Sequence, residues 1–290
     1  MVDLVSIGVL VPFQRTEDIA PPEARPMGRA ALELLNEGIE VIFGDTLRAG
    51  RMSGVIARPG RWEKLSDIPI AALHDRFPSQ RRSEKFGEIL AQSKGLTMGN
   101  PLSLTMLCRD KTKSQRFLET AGISMPALET DPAAFPDRLR EWGSAFLKPR
   151  YGALGTGVRR VRPGDDLPTR IESVVPGRTD PSILQKAVEP EPGWAGRSVR
   201  VLCQREPSGQ WTLNEPVVRQ SREDPVVNAA RGAQVRAGSD VLSGATRLEL
   251  RRRCQHICAA MSAHPTGLSL VEMGLDFVLD AEGIPWPIEV

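Results

Sequence analysis

The chain has 290 residues, more than one typical domain, and is long enough to bury sizeable cores, so two or three subdomains are expected. Its 38 basic and 36 acidic residues leave a net charge of +2, which excludes a global pull toward nucleic acid and requires any basic site to be local. The four scattered cysteines (Cys108, Cys203, Cys254, Cys258) are too few for a disulfide framework, no apolar run approaches about 18 residues and no positively flanked apolar leader opens the chain, so a cytoplasmic protein without a membrane partner is expected.

Leu4 to Val11 suits a buried strand, Met27 to Asn36 a helix, and Ile39 to Phe43 a second strand. Val55 and Ile56, then Ile68 to Leu73, read as further strands, which gives a βαβ pattern and an α/β first domain ending near residue 100. Asn100-Pro101 marks a turn. Asp110 to Ala121 is a helix stopped by Gly122, Ile123 to Leu128 is extended, Ala133 to Trp142 is a helix and Ala145 to Lys148 a strand. Strands follow at Gly157 to Val161 and Ser182 to Val188, and the Pro/Gly-rich Glu189 to Gly196 is a junction. Ser198 to Gln204 and Trp211 to Arg219 form a hairpin, Gly244 to Ser262 is helical, and the final GLDFVLDAEGIPWPIEV is a second hairpin.

In that last hairpin, pairing Asp280 with Gly283 sets Phe277 opposite Trp286 and Asp276 opposite Pro287. Glu289 then lies diagonally from Asp276 on the same face, about 7 Å away. Leu275, Phe277 and Leu279 would pack with Ile284, Trp286 and Ile288, and Pro285 and Pro287 mark an edge or a cavity wall. Geometry alone leaves two uses for the acids: a solvated hairpin face or a ligand-facing pair.

The stretch FLKPRYGALGTGVRRV, residues 146–161, carries more chemistry. A strand delivers Lys148; Gly152, Gly155 and Gly157 then allow a tight turn that brings backbone N–H groups to a phosphate chain. It is neither a Walker loop nor a dinucleotide fingerprint, because a strand and not a helix follows. The chain has only seven lysines among its 38 cations, which gives Lys148 and Lys111 added weight. Cys254, His256 and Cys258 lie in a helical segment without a fourth ligand and are core residues before they are a zinc site. The arginines at 81–82 and 251–253 are solvated faces.

Lys111 opening a helix, Lys148 beside the glycine turn, the apolar ILQKAVEP, the arginine-bearing SVRVL and the acid hairpin follow in an order that resembles the ATP-grasp superfamily. The stretches NPLSLTMLCRDK, VRVLCQ, NAARGAQV and EMGLDFVLDAEGIPWPIEV resemble the YheC/YheD-type endospore-coat-associated branch; glutathione synthetase and RimK-type ligases are more distant. The resemblance implies an α/β fold of the α+β grasp type. It places an N-terminal α/β pre-ATP-grasp domain over residues 1–102, grasp lobe A over 103–189 and lobe B over 190–290.

By resemblance, Lys111 and Lys148 hold ATP phosphates and Gly152, Gly155 and Gly157 belong to the closing loop. The backbone of Gln185, Lys186, Ala187 and Val188 meets the adenine. Asp276 and Glu289 hold Mg²⁺, while Arg219, Asn228 and Arg231 face the transferred phosphate. Arg200 matches too, with a structural pairing to a carboxylate as its other use. Ser198 stands where glutamate ligases carry an acid. The family's metal-binding asparagine would fall one residue beyond Val290, so a truncated chain is expected. The implied activity is an ATP- and Mg-dependent carboxylate–amine ligase acting through an acyl phosphate on small-molecule substrates. A coat-associated structural or regulatory nucleotide binder and a small-molecule kinase are the alternatives.

Overall fold

The structure, a computed structural model, describes residues 4–11, 20, 24–76, 88, 91–173, 177–228 and 232–290. They divide into two compact units, Met1–Pro101 and Leu102–Val290. Arg231 and the Arg81-Arg82 pair lie outside the described residues.

In the first unit β1 (Val5–Leu10), α1 (Gly28–Asn36) and β2 (Ile39–Arg48) form the expected βαβ unit, with β1 and β2 parallel. β3 (Arg51–Arg58) and β4 (Arg61–Pro69) continue from β2 as an antiparallel meander, while β5 (Ala72–Asp75) and β6 (Thr97–Gly99) extend the parallel side. The sheet order is β4-β3-β2-β1-β5-β6. The meander corrects the sequence expectation, which saw only Val55-Ile56 and one strand over Ile68 to Leu73. Ala49-Gly50 and Pro59-Gly60 are tight turns between long strands, and β4 ends at Pro69 before β5 begins. Val9, Val11, Phe43 and Val55 pack beneath Ala31 of α1.

The second unit opens with two short helices, α2 (Leu102–Arg109) and α3 (Lys111–Thr120). Asp110 caps α3 by accepting from the amides of Thr112 and Lys113, at 3.1 and 3.3 Å. β7 (Leu128–Glu129), α4 (Phe135–Trp142), β8 (Ala145–Pro149), β9 (Arg159–Val161), β10 (Arg170–Glu172) and β11 (Thr179–Lys186) follow. Their antiparallel sheet runs β10-β11-β8-β9 with β7 also on β11, and Phe135, Leu139, Leu147 and Leu184 form its core.

The last part contains β12 (Gly196–Arg205), β13 (Trp211–Leu213), β14 (Val217–Ser221), β15 (Gln234–Ala237), α5 (Gly238–Val241), α6 (Gly244–Ser262), β16 (Glu272–Leu279) and β17 (Pro285–Glu289). The strands form an antiparallel sheet in the order β15-β14-β12-β16-β17, with β13 also on β12. The expected hairpin partner of β12 is thus two strands, interrupted around Pro216, which has no N–H for the ladder. α6 covers one face, burying Leu250, Cys254, Ile257, Cys258 and Met261 against Val199, Val201, Cys203, Leu275 and Phe277. His256 points to the exposed side of α6, so the Cys-His-Cys run is divided between core and solvent. Arg252 and Arg253 pair with Glu249 on that helix. Among the described residues no helix is long and apolar enough to cross a membrane.

Candidate functional site

The uncovered face of the β12–β17 sheet carries the acids. Its closing turn has three residues and not two: the Asp280 amide donates to the Ile284 carbonyl at 3.1 Å, and Gly283 takes φ +78°, the left-handed conformation such turns require. The extra residue shifts the ladder, so Val278 faces Trp286 and Phe277 faces Pro287. A bulge at Ile288 then sets Asp276 directly opposite Glu289, closer than the expected diagonal. The core face of β17 is therefore made by the buried Pro285 and Pro287, while Trp286 and Ile288 lie with the acids.

Across five strands the register builds one row, Glu289, Asp276, Arg200, Val217 and Ala237, and beside it a second, Trp286, Val278, Ser198, Arg219 and Val235. Arg200 Nη1 meets Asp276 Oδ2 at 3.2 Å, and its guanidinium lies over Gly274, where a Cβ would come within 2.5 Å of Nη2. Arg219 Nη1 stands 3.7 Å from Asp276 Oδ1. Burial pushes the Asp276 carboxyl above its ordinary value; Arg200 opposes the rise, Glu289 adds to it, and Arg219 and Lys111 oppose it.

The opposing wall comes from α3, β8 and β11. Lys111, at the start of α3, donates to the Gly152 carbonyl and lies 3.3 Å from Glu289 Oε1. Arg150 fixes that helix end through two bonds to Asp110, at 2.8 and 2.7 Å. Lys148 is buried, and its ammonium donates to Gln185 Oε1 at 2.6 Å. Gln185 Nε2 in turn donates to Gln115 Oε1 at 2.9 Å, and Gln115 Nε2 donates to Glu119 at 2.8 Å and to the Pro126 carbonyl at 2.9 Å. This chain fixes which end of the Gln185 amide faces the lysine. Burial, then repulsion from Lys111, lowers the Lys148 ammonium to about 8 against a partial counter-pull from Glu289.

The glycine turn joins β8 to β9. At Gly152 a Cβ would fall 2.2 Å from Pro149 Cγ, so no larger residue fits that approach. Asn228 Nδ2 reaches across to the Leu154 carbonyl at 2.7 Å, tying the loop to the segment after β14. In the connecting segment, the amides of Lys186 and Ala187 are bonded to the carbonyls of Ala127 and Ser144, at 2.8 and 3.1 Å. Lys186 and Val188 line the cleft.

One cleft of about 490 Å³ is lined by Lys111, Lys148, Gly152, Gly155, Gln185, Lys186, Val188, Arg219, Asn228, Asp276 and Glu289, together with Ser198 and Arg200. Gly157 and Ala187 support it from outside the lining. Gln185, expected to act through its backbone, takes part through its side chain. Gln115 and Glu119 went unrecognised in the sequence, although with Lys111 they form an i, i+4, i+8 stripe on α3.

Asp276 Oδ1 is buried and has no hydrogen-bond partner. A buried carboxylate oxygen left open beside a second carboxylate fits a hard divalent cation held by few protein oxygens plus phosphate. Among the described residues no group of three or more His, Cys, Asp or Glu could hold a metal without such outside ligands.

The family model of YheC/D-like ATP-grasp proteins matches residues 127–290. D-alanyl-alanine synthetase A from Vibrio cholerae O1 biovar eltor superposes with a TM-score of 0.61 at 14% identity, over 100% of this chain and 89% of that one. A carboxyaminoimidazole ribonucleotide synthase from Aspergillus clavatus, complexed with ATP, gives 0.62 at 14% identity, over 100% and 70%. D-cycloserine synthetase DcsG gives 0.61 at 19%, over 98% and 90%. At such identities the likeness to these structures is one of fold. No curated protein sequence matches the chain.

Proposed function

The chain belongs to the YheC/D-like ATP-grasp family, and from that premise we propose that it is an ATP- and Mg²⁺-dependent carboxylate–amine ligase. The observation that carries the proposal is the convergence of two buried lysines, a glycine turn and a carboxylate pair on one cleft. Lys111 and Lys148 hold the phosphates, with their positions set by Gly152 and Gln185. The turn of Gly152, Gly155 and Gly157 closes over them, and the segment from Gln185 to Val188 borders the base. Asp276 and Glu289 would hold Mg²⁺, which when bound neutralises phosphate charge.

A substrate carboxylate oxygen attacks the γ-phosphorus and the bond to ADP breaks, leaving an acyl phosphate. Arg219 and Asn228, which line the cleft, face that group; guanidinium donors suit its oxyanions. An amine then attacks the acyl carbon, the carbon–oxygen bond to phosphate breaks, and the amine proton leaves to phosphate or solvent. The chain's contribution is positioning and charge neutralisation, with water excluded by the turn.

Incubation with ATP, Mg²⁺ and pooled amino acids, followed by mass spectrometry, is expected to yield ADP and a new amide. ADP with a stable phosphorylated product would instead identify a kinase. Nucleotide binding without either product would leave the structural or regulatory role.

A further inference from the structure

We propose that the sheet beyond Arg200 and Arg219 is an acyl-substrate subsite for a carboxylic acid with an apolar branched or aromatic side chain. This rests on the ligase reading of the adjoining cleft. The two register rows that begin at the carboxylates continue past the arginines to Val217 and Ala237 in one and Val235 in the other. Leu202, in line with Gly274, adjoins the same face. Val217 and Leu202 are each 38% exposed and Val235 is 50% exposed, whereas Val199, Val201 and Val218 on the opposite face are buried.

Single exposed apolar residues need no explanation, but these stand together and are continuous with the cleft, whose lining ends at Arg200 and Arg219. The charges at the junction are unequal: two guanidiniums share the single carboxylate of Asp276. That imbalance favours an anion above the arginines, and beyond them the rows contain no carboxylate that could receive a cationic side chain. Beside Leu202, Glu215, which precedes β14, is engaged with the Ser239 amide at 2.7 Å, and Glu272, on the face of Gly274, is also engaged with a partner. A ligand with its carboxylate on the arginines therefore lays its side chain on Val217, Val235 and Leu202. The carboxylate is held next to the phosphate-binding lysines.

Two measurements test this. In calorimetry with the full chain and a non-hydrolysable ATP analogue, leucine and phenylalanine are expected to bind at least tenfold more tightly than glutamate or lysine. The same acids are expected to stimulate ADP release in the presence of an amine pool. The double substitution Val217→Thr with Val235→Thr, which keeps the branched shape but adds a hydroxyl to each side chain, is expected to raise KM for the apolar acid about fivefold with KM for ATP unchanged. Equal binding of glutamate or lysine, or an unchanged KM for the acid in the double variant, would overturn the subsite. Selective binding of apolar acids without ADP release would sustain the subsite and overturn the ligase reading. Absence of binding by every acid tested would overturn the subsite, whatever ADP is released.

Discussion

The two walls of the cleft bury charge in opposite ways. Lys148 is buried against a neutral amide, Gln185, with another cation as its main electrostatic neighbour. Asp276 is half-buried among Arg200, Arg219 and Lys111, yet its burial, with Glu289 opposite, still pushes the carboxyl above its ordinary value against those cations. On the lysine wall Glu289 pairs with Lys111 and only partly offsets the charge of Lys148, while on the acid wall the Asp276 carboxylate is shared between two guanidiniums. Under the proposed ligase reading the first would receive an anion, and the second would exchange a guanidinium for a cation.

Asp276→Asn strikes the acid wall and should have the largest effect. Mg²⁺-dependent ADP release is expected to fall by on the order of 100-fold, because a charged ligand is lost and two arginines face each other unshielded. Titrating ADP release against Mg²⁺ checks this. Lys148→Met strikes the other wall. ATP affinity should fall about 50-fold, the value of a charge-assisted contact of about 2–3 kcal/mol, with little change in melting temperature, because a disfavoured buried ammonium goes with it. An ATP affinity within twofold of wild type would remove Lys148 from the phosphate site.

The pH dependence separates the walls further. With the Lys148 ammonium at about 8 in the fold and 10.5 as its ordinary value, the unfolded chain binds the extra proton between those limits. Stability should therefore rise with pH across that window, while ATP affinity falls by up to about tenfold per unit as the charge is lost. Calorimetry in buffers of different ionisation enthalpy should show proton uptake on ATP binding near pH 9, and Lys148→Met should abolish it. Gln115→Leu should have the smallest effect. Freed from its donor–acceptor chain, the Gln185 amide can turn, and ATP affinity should fall about fivefold, or about 1 kcal/mol, with adenosine binding unchanged. An equal loss for adenosine would make the role of Gln115 purely structural.

What could be read in the sequence divides along physical lines. That Lys111, Lys148 and the glycine turn share one cleft was legible in their order along the chain, on which the family resemblance rests. The first acid, Asp276, was legible as half of a pair, but its partner's position depended on a three-residue turn and on the bulge at Ile288. A bulge adds one residue without altering the alternation on either side, so the pattern alone supports two registers. Gln115 escaped because its role depends on contact with Gln185, 70 residues away in the chain. β3 and β4 were truncated in the sequence reading because their arginines, Glu63, Lys64 and Asp67 obscure the alternation.

Pro285 and Pro287 have a consequence beyond the core they fill. β17 ends its sheet, and the Ile284 carbonyl is bonded inward to Asp280, so strand parity turns the backbone of residues 285 and 287 outward. At both positions the outward side has no N–H to offer. A passing strand from another copy would find acceptors without matching donors, so the hairpin that carries Asp276 and Glu289 is guarded against edge-to-edge aggregation by the residues that also close its core.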